Sequence, residues 1–357
     1  MTGPAVRMRV MTVVRSSMSS RYATVGVALV ALVVASSILA PGSLDQSAVL
    51  AMMPFVAVLA VVAAGQTIVV QQSGIDLSVA GAVSLSAMLM NTVAAGDNER
   101  SLLGLAVALV GAGIGGVVTG VAVAWFGVTP LVATLAVNGL LLGAVLALSG
   151  GQSATPAPSI LNDFALGRTV GVPNLVLVAV LVLAALVFAT TRTVFGRRFI
   201  AIGVSPRAAR AAGIRTVAYT VAAFALAGVC YGIGGVMLAA FTGTPSVFVG
   251  SGYLLPSIAA VVIGGTALSG GKGSIAATAL GALFLTQLDQ VVSGLGGPNA
   301  VQMIVQGLVI LFALTLRGLL VALRAAVSRR PSSAHPPAID AAGRGTSSRA
   351  TVNLETS

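Results

Sequence analysis

Charge is what this chain has least of: only 8% of its 357 residues are Asp, Glu, Lys or Arg, against roughly 25% in a soluble domain. That shortage excludes a solvated globular enzyme. Cysteine and histidine are almost missing too, with one of each, Cys230 and His335. A lone cysteine excludes a disulfide within the chain and any metal centre built on several thiolates; inside an apolar run, Cys230 reads as a small packing residue. The only histidine lies in a Pro/Ser/Ala-rich tail, which excludes histidine-based acid–base work in the apolar region. No metal ligand set is expected, and no catalytic residue. Aromatics make up 4% and do not interleave with the basic residues, so a net charge of +11 does not read as a nucleic-acid surface.

What is there instead is apolar sequence, 57% of the chain, in uncharged runs near the roughly 20 residues that a bilayer-spanning helix needs. Runs between charges and turn residues predict ten spans, near 22–40, 48–70, 77–95, 101–125, 128–148, 171–191, 217–242, 252–268, 273–292 and 298–316. The first is too long for the apolar core of a cleavable signal and is read as a span. With the N-terminus inside, 17 of the 19 basic residues fall on the cytoplasmic side; only Arg100 and Arg168 fall outside. Basic residues are retained on that side during insertion, and shifting the count by one span would spoil the split. Tyr22, Trp125, Tyr219 and Tyr253 fall at predicted span ends, where amphipathic rings prefer to sit. The expected organisation is a basic cytoplasmic segment over 1–21, a transmembrane region over 22–320 and a disordered cytoplasmic tail over 321–357, both ends inside.

Glycine is abundant, at 43 residues, and Gly111/Gly115 and Gly116/Gly120 recur at helix-packing spacing. Small faces four residues apart let helix backbones approach closely in lipid.

The longest hydrophilic interruption between spans, 192–216, carries Arg192, Arg197, Arg198, Arg207, Arg210 and Arg215. At about 2.5–3.5 kcal/mol for each arginine at mid-bilayer, it lies outside the hydrocarbon. Ser205 suits a helix N-cap, Pro206 the first helical position and Gly213 a terminating left-handed position, so a short capped helix is expected there. Such a helix is either a lever for a soluble partner or an ordinary basic loop, and composition does not choose between them.

Two acids lie close to or within the spans. Asp76, with Gln71, Gln72, Ser73 and Gly74 before it, is expected at the inner boundary, as a cap of the third span or a bond that holds a gate, with a proton relay as the less favoured alternative. Asp289, beside Gln287 and Gln290, is expected toward the outer end of the ninth span, either solvated at the mouth or lining a path. Asn91, Asn138 and Gln287 join it as candidates for a polar path. Leu268-Ser269-Gly270-Gly271-Lys272-Gly273-Ser274 imitates nucleotide-binding motifs, but a phosphate loop needs glycine seven residues before the hydroxyl residue, with lysine between them. Here Thr266 and Gly273 occupy those two places, so the segment is read as a turn between spans.

Four segments taken together resemble one family. Gly196-Arg197-Arg198 through Gly213-Ile214, including Arg207-Ala208-Ala209-Arg210, is similar to the coupling region of bacterial ABC importer permeases of the ribose/simple-sugar type. Ser73-Gly74-Ile75-Asp76-Leu77-Ser78-Val79 resembles that family's Gly-Gly-Ile-Asp-Leu-Ser-Val motif, and Thr129-Pro130-Leu131-Val132-Ala133-Thr134-Leu135 its Pro-Phe-Ile-x-Thr-Leu segment. The strongest likeness is Gly252 through Ser274, with Gly264-Gly265 and Ser269-Gly270-Gly271 at its centre. Ala80 departs from the family's glycine, and Arg207 stands where an acidic residue is common.

The resemblance implies an all-α integral membrane protein with the bundle of a type II ABC importer, in the bacterial inner or plasma membrane. It implies ATP and Mg on a separate ATPase subunit, a periplasmic or lipid-anchored substrate-binding protein, and a second permease subunit, identical or not. No cofactor is expected on this chain. The substrate it implies is a ribose-like or other simple sugar, with a nucleoside or branched-chain amino acid as the alternatives. An ion-coupled secondary transporter is the competing class; it wants midplane carboxylates, and no mid-span acidic cluster is present.

Overall fold

The structure is a computed structural model that describes residues 4–298, 300–312 and 315, with side-chain surroundings from Tyr22 onward. The tail over 321–357, His335 and the arginine side chains of 1–21 lie outside the described residues.

The apolar runs become helices in the predicted order. They are α1 (Pro4–Leu39), α2 (Gln46–Gln71), α3 (Val79–Ala94), α4 (Ser101–Ala124) and α5 (Pro130–Ser149). After α6 (Ser159–Leu166) come α7 (Asn174–Arg192), α8 (Val194–Val204), α9 (Pro206–Ala211), α10 (Thr216–Thr242), α11 (Ser251–Ile263), α12 (Ile275–Gly294) and α13 (Ala300–Phe312). Among the described residues, seven helices are long and apolar enough to cross a bilayer, with α1 contributing Tyr22–Leu39, and α3, α11 and α13 are shorter apolar helices. Together these ten match the ten expected spans, and the chain is an all-α multi-pass membrane protein. Among the described residues, a two-residue β ladder pairing Arg168–Thr169 with Val172–Pro173 is the one sheet.

Three differences have local causes. The eighth span stops at Ile263 rather than 268, because Gly265 turns the chain at a φ of 75°. Where one helix was expected in 192–216, two form: Thr193 Oγ1 accepts the Gly196 N–H and starts α8, and Ser205 Oγ accepts the Ala208 N–H and starts α9. Threonine at position 193 was the missed cap signal. The Ser205 cap, Pro206 at the first position of α9 and left-handed Gly213 (φ 77°) appear as expected. The helix α6 was not foreseen; it hangs on Asn98 Oδ1, which accepts the Ile160 N–H, and on Asn162, which donates to the Ala240 carbonyl.

Two helices form the middle of the bundle. From Ala57 to Gln71 every residue of α2 is buried, and α10 packs along α2, α3 and α4. Lipid supplies no hydrophobic drive between helices, so close backbone approach must hold them. A Cβ on Gly116 would lie 2.2 Å from the Phe224 carbonyl oxygen, and one on Gly228 2.5 Å from that of Ala112. The α4–α10 crossing therefore needs glycine on both helices, which gives the Gly116/Gly120 spacing its partner.

Successive crossings alternate, so the residues sort onto two ends of the bundle. One end holds the α2–α3 and α11–α12 turns with α8 and α9; the other holds α6, the β ladder and the start of α2.

Candidate functional site at the arginine-bearing end

Three of the four segments singled out in the sequence meet at one place. The turn after α2 lies between the C-terminus of α8 and the glycine-rich α11–α12 turn. The Gly271 N–H donates to the Gln71 carbonyl (2.8 Å), Gln72 Nε2 donates to the Phe199 carbonyl (2.8 Å), and Ser73 Oγ donates to the Ser269 carbonyl (2.9 Å).

The chain segments approach closely here. A Cβ on Gly203 would fall 2.0 Å from the Gln71 carbonyl oxygen, one on Gly270 2.1 Å from Ser73 Oγ, and one on Gly271 2.5 Å from Val204 Cγ2. Gly270 and Gly271 also have φ values of 85° and 68°, which a side chain opposes. Ser73 itself is left-handed, at a φ of 63°. It stands where the resembling motif has glycine, and its bond to Ser269 offsets the cost. The fourth segment adjoins: Thr129 and Pro130 open α5, Pro130 lies against Gly74, and Thr134 Oγ1 reaches the Ile75 carbonyl at 3.4 Å. From the N-terminal side, the Tyr22 hydroxyl meets Ser274 Oγ at 2.9 Å, and Gly264 packs directly on Thr278 of α12.

The helix α8 sinks its Phe199 and Ile202 into the bundle and leaves Arg197 and Arg198 exposed, while Gly196 is pressed against the Thr190 carbonyl. In α9, only Ala209 is buried; Arg207, Ala208 and Arg210 are exposed. Basic side chains thus project from a two-helix elbow whose apolar side is anchored to the turns at both neighbouring helix ends.

Asp76 lies deeper than the boundary expected for it. It is fully buried, and the amide of Gln66, five residues back from the end of α2, pairs with its backbone: Nε2 donates to the Asp76 carbonyl and Oε1 accepts its N–H, both at 3.2 Å. That puts Asp76 about 7 Å inside the helix end at roughly 1.5 Å per residue. Its Oδ1 accepts from Ser78 N (2.8 Å) and Ser78 Oγ (2.6 Å), so Asp76 shapes the entry to α3 while Ser78 is the residue at the cap. The Tyr231 hydroxyl lies beside the carboxyl group and bonds the Gln66 amide at 2.9 Å. Gln66 and Tyr231 of the two central helices therefore hold the turn that carries Asp76; Tyr231 did not stand out in the sequence, where a tyrosine inside an apolar run reads as core. Asp76→Ala strands both Ser78 donors. The expected cost is about 1–3 kcal/mol, read as a lower unfolding temperature in detergent, and Asp76→Asn, which keeps an oxygen for Ser78, is expected to lose less.

The four path candidates separate from one another: Asn91, Gln287 and Asp289 fall toward the opposite end, while Asn138 lies beside the start of α3. Asn91 Nδ2 donates to the carbonyls of Thr155 and Gly243, so it clamps the α5–α6 connection to the end of α10. Asn138 Oδ1 accepts the Gly81 N–H and joins α5 to α3. Gln287 is buried against Ser36 and Ser43 and ties α12 to the end of α1. Asp289 alone of the four lines an open space, a cavity of about 700 Å³ walled by α2, α11, α12 and α13.

The comparisons with known proteins agree with this architecture. Residues 47–314, about three quarters of the chain, match the family described as branched-chain amino acid transport system / permease component. The chain is 34% identical over 292 residues to the ribose import permease protein of Escherichia coli (strain K12), covering 80% of this chain and 90% of that protein. It is 33% identical over 261 residues to the autoinducer 2 import system permease protein of Escherichia coli (strain K12 / DH10B), covering 73% and 76%. The corresponding autoinducer 2 protein of Shigella flexneri is 32% identical over the same length and coverage. No solved structure matches.

Proposed function

The chain belongs to the family of branched-chain amino acid transport system permease components, and from that premise we propose that it is the membrane subunit of an ATP-driven importer for a sugar. A binding protein outside delivers the sugar, an ATPase subunit inside supplies the work, and a second permease subunit completes the path. The arginine-bearing end faces the cytoplasm, in keeping with the excess of basic residues there. Residues 22–320 form the permease region, with 192–216 as the segment on which the ATPase acts.

One observation carries this reading: the α8–α9 elbow is joined through backbone atoms to the turns that follow α2 and α11. A push on exposed α9 then has a stiff route into the central helix α2, because packed interfaces switch between arrangements rather than deform smoothly. The partner's differential contact with two arrangements, not this chain's own chemistry, drives the change.

The test is uptake of labelled D-ribose and a panel of other sugars into proteoliposomes. They carry this chain with an ATPase subunit and a secreted binding protein of the same importer class. Uptake is expected to require ATP hydrolysis and to ignore proton and sodium ionophores. Accumulation without nucleotide that collapses with an ion gradient would overturn the importer reading in favour of a secondary transporter.

A further inference from the structure

The cavity at Asp289 has a chemistry of its own. Gln306 Nε2 of α13 donates to both carboxylate oxygens, at 2.8 and 2.9 Å. Gln290 Nε2 donates to the Ala48 carbonyl at 3.5 Å, and Gln302 Nε2 donates to Ser293 Oγ at 2.8 Å. All three glutamines thus turn their N–H groups to protein partners. Their carbonyl oxygens make no hydrogen bond among the described residues, and the Asp289 oxygens, each with spare lone pairs, join them. This wall of the cavity is rich in acceptors.

The facing wall is apolar and partly aromatic. Phe55 is held edge-on to Phe241, with ring centroids 5.3 Å apart, and Leu59, Tyr253 and Pro256 share the lining with it. One wall that accepts hydrogen bonds and one that offers ring faces and methyl groups match a molecule with several hydroxyls and a C–H face. The volume, about 700 Å³, lies within the roughly 300–1,000 Å³ usual for small-ligand sites. No Lys, Arg or His lines it, so a phosphate or carboxylate would meet Asp289 without a counter-charge. A lipid chain would strand Asp289 and the three amide carbonyls in hydrocarbon.

We infer that this cavity is a low-affinity site for a neutral polyhydroxylated solute, with Asp289 as its principal acceptor and the Asp289–Gln306 contact as the bond the solute exchanges for its own hydroxyls. The inference rests on the proposed importer reading and narrows it: an amino acid, whose carboxylate needs a cation, is turned away here. Each acceptor already has a protein donor or solvent to fall back on, so the solute is held weakly enough to leave.

Cys230 is buried and is the only cysteine, so introduced thiols are read without background. Met303→Cys and Ala51→Cys place a thiol on α13 and on α2, at opposite walls. Each variant, as the full chain in membranes, is treated with a methanethiosulfonate reagent in the presence of D-ribose, D-glucose, xylitol or L-leucine. Protection follows 1 + [L]/Kd, so mixed-disulfide formation at both positions is expected to slow about threefold at a sugar concentration about twice its Kd. L-Leucine is expected to leave the rate unchanged, and adding Asp289→Ala to remove the protection. Equal protection by L-leucine, no protection by any of the three polyols at either position, or protection that survives Asp289→Ala overturns the site. ATP dependence of uptake is scored separately on the same membranes. Its loss with protection intact sinks the importer reading alone; ATP-driven sugar uptake without protection sinks this site alone.

Discussion

Replacing Gly203 with alanine is expected to abolish ATP-driven uptake. The added carbon would meet the Gln71 carbonyl oxygen at 2.0 Å and the Gly271 nitrogen at 2.9 Å, and both are backbone atoms fixed by helix ends. No rotamer relieves the clash, so α8 must lift from the α2 and α11 turns. Overpacking of this kind costs about 1–3 kcal/mol where side chains yield, and here the neighbours are less able to yield. Gly213→Ala is the control: it is left-handed too, but nothing lies within 4 Å of its added carbon. It is expected to lose only the roughly 1–2 kcal/mol of a left-handed residue. The measurement is uptake normalised to the amount of folded protein, together with crosslinking between cysteines placed at Ser73 and Ser269. If Gly203→Ala transports normally, the backbone junction does not transmit the stroke.

The second large effect belongs to the surface of α9. The double variant Arg207→Glu, Arg210→Glu is expected to abolish ATP-dependent uptake while leaving insertion and thermal stability unchanged. Both side chains are exposed, and the burial that holds α9 comes from Ala209, so the fold has little to lose. What changes is the surface charge offered to an ATPase subunit, by four units across one helical turn. Co-purification with the ATPase is expected to fail in parallel. Normal transport by this variant would remove α9 from the coupling role, whatever the rest of the junction does.

Asp76 shows how far local sequence reaches. Its neighbours Gln71, Gln72 and Ser73 are polar, and a polar run after an apolar span reads as a membrane boundary. The chain instead folds back beside α2, because Gln66 offers an amide that satisfies both backbone groups of Asp76. The run of glycines at 270 and 271 was legible as a turn. That Gly203, 67 residues earlier, is the other half of the same contact was not, since each half is ordinary until they touch.

Composition and the spacing of charges were enough for the apolar helices and their order, because a bilayer asks for long uncharged runs whatever their neighbours. The caps at Ser205 and Gly213 were equally local, set by single residues acting on the backbone beside them. Tertiary structure alone decided which polar residues do what: it spent Asn91, Asn138 and Gln287 on joining helices and left Asp289 facing a cavity. The reason is that a polar group in a bundle must find a partner, and whether that partner is another helix or an open space depends on how helices far apart in sequence come together.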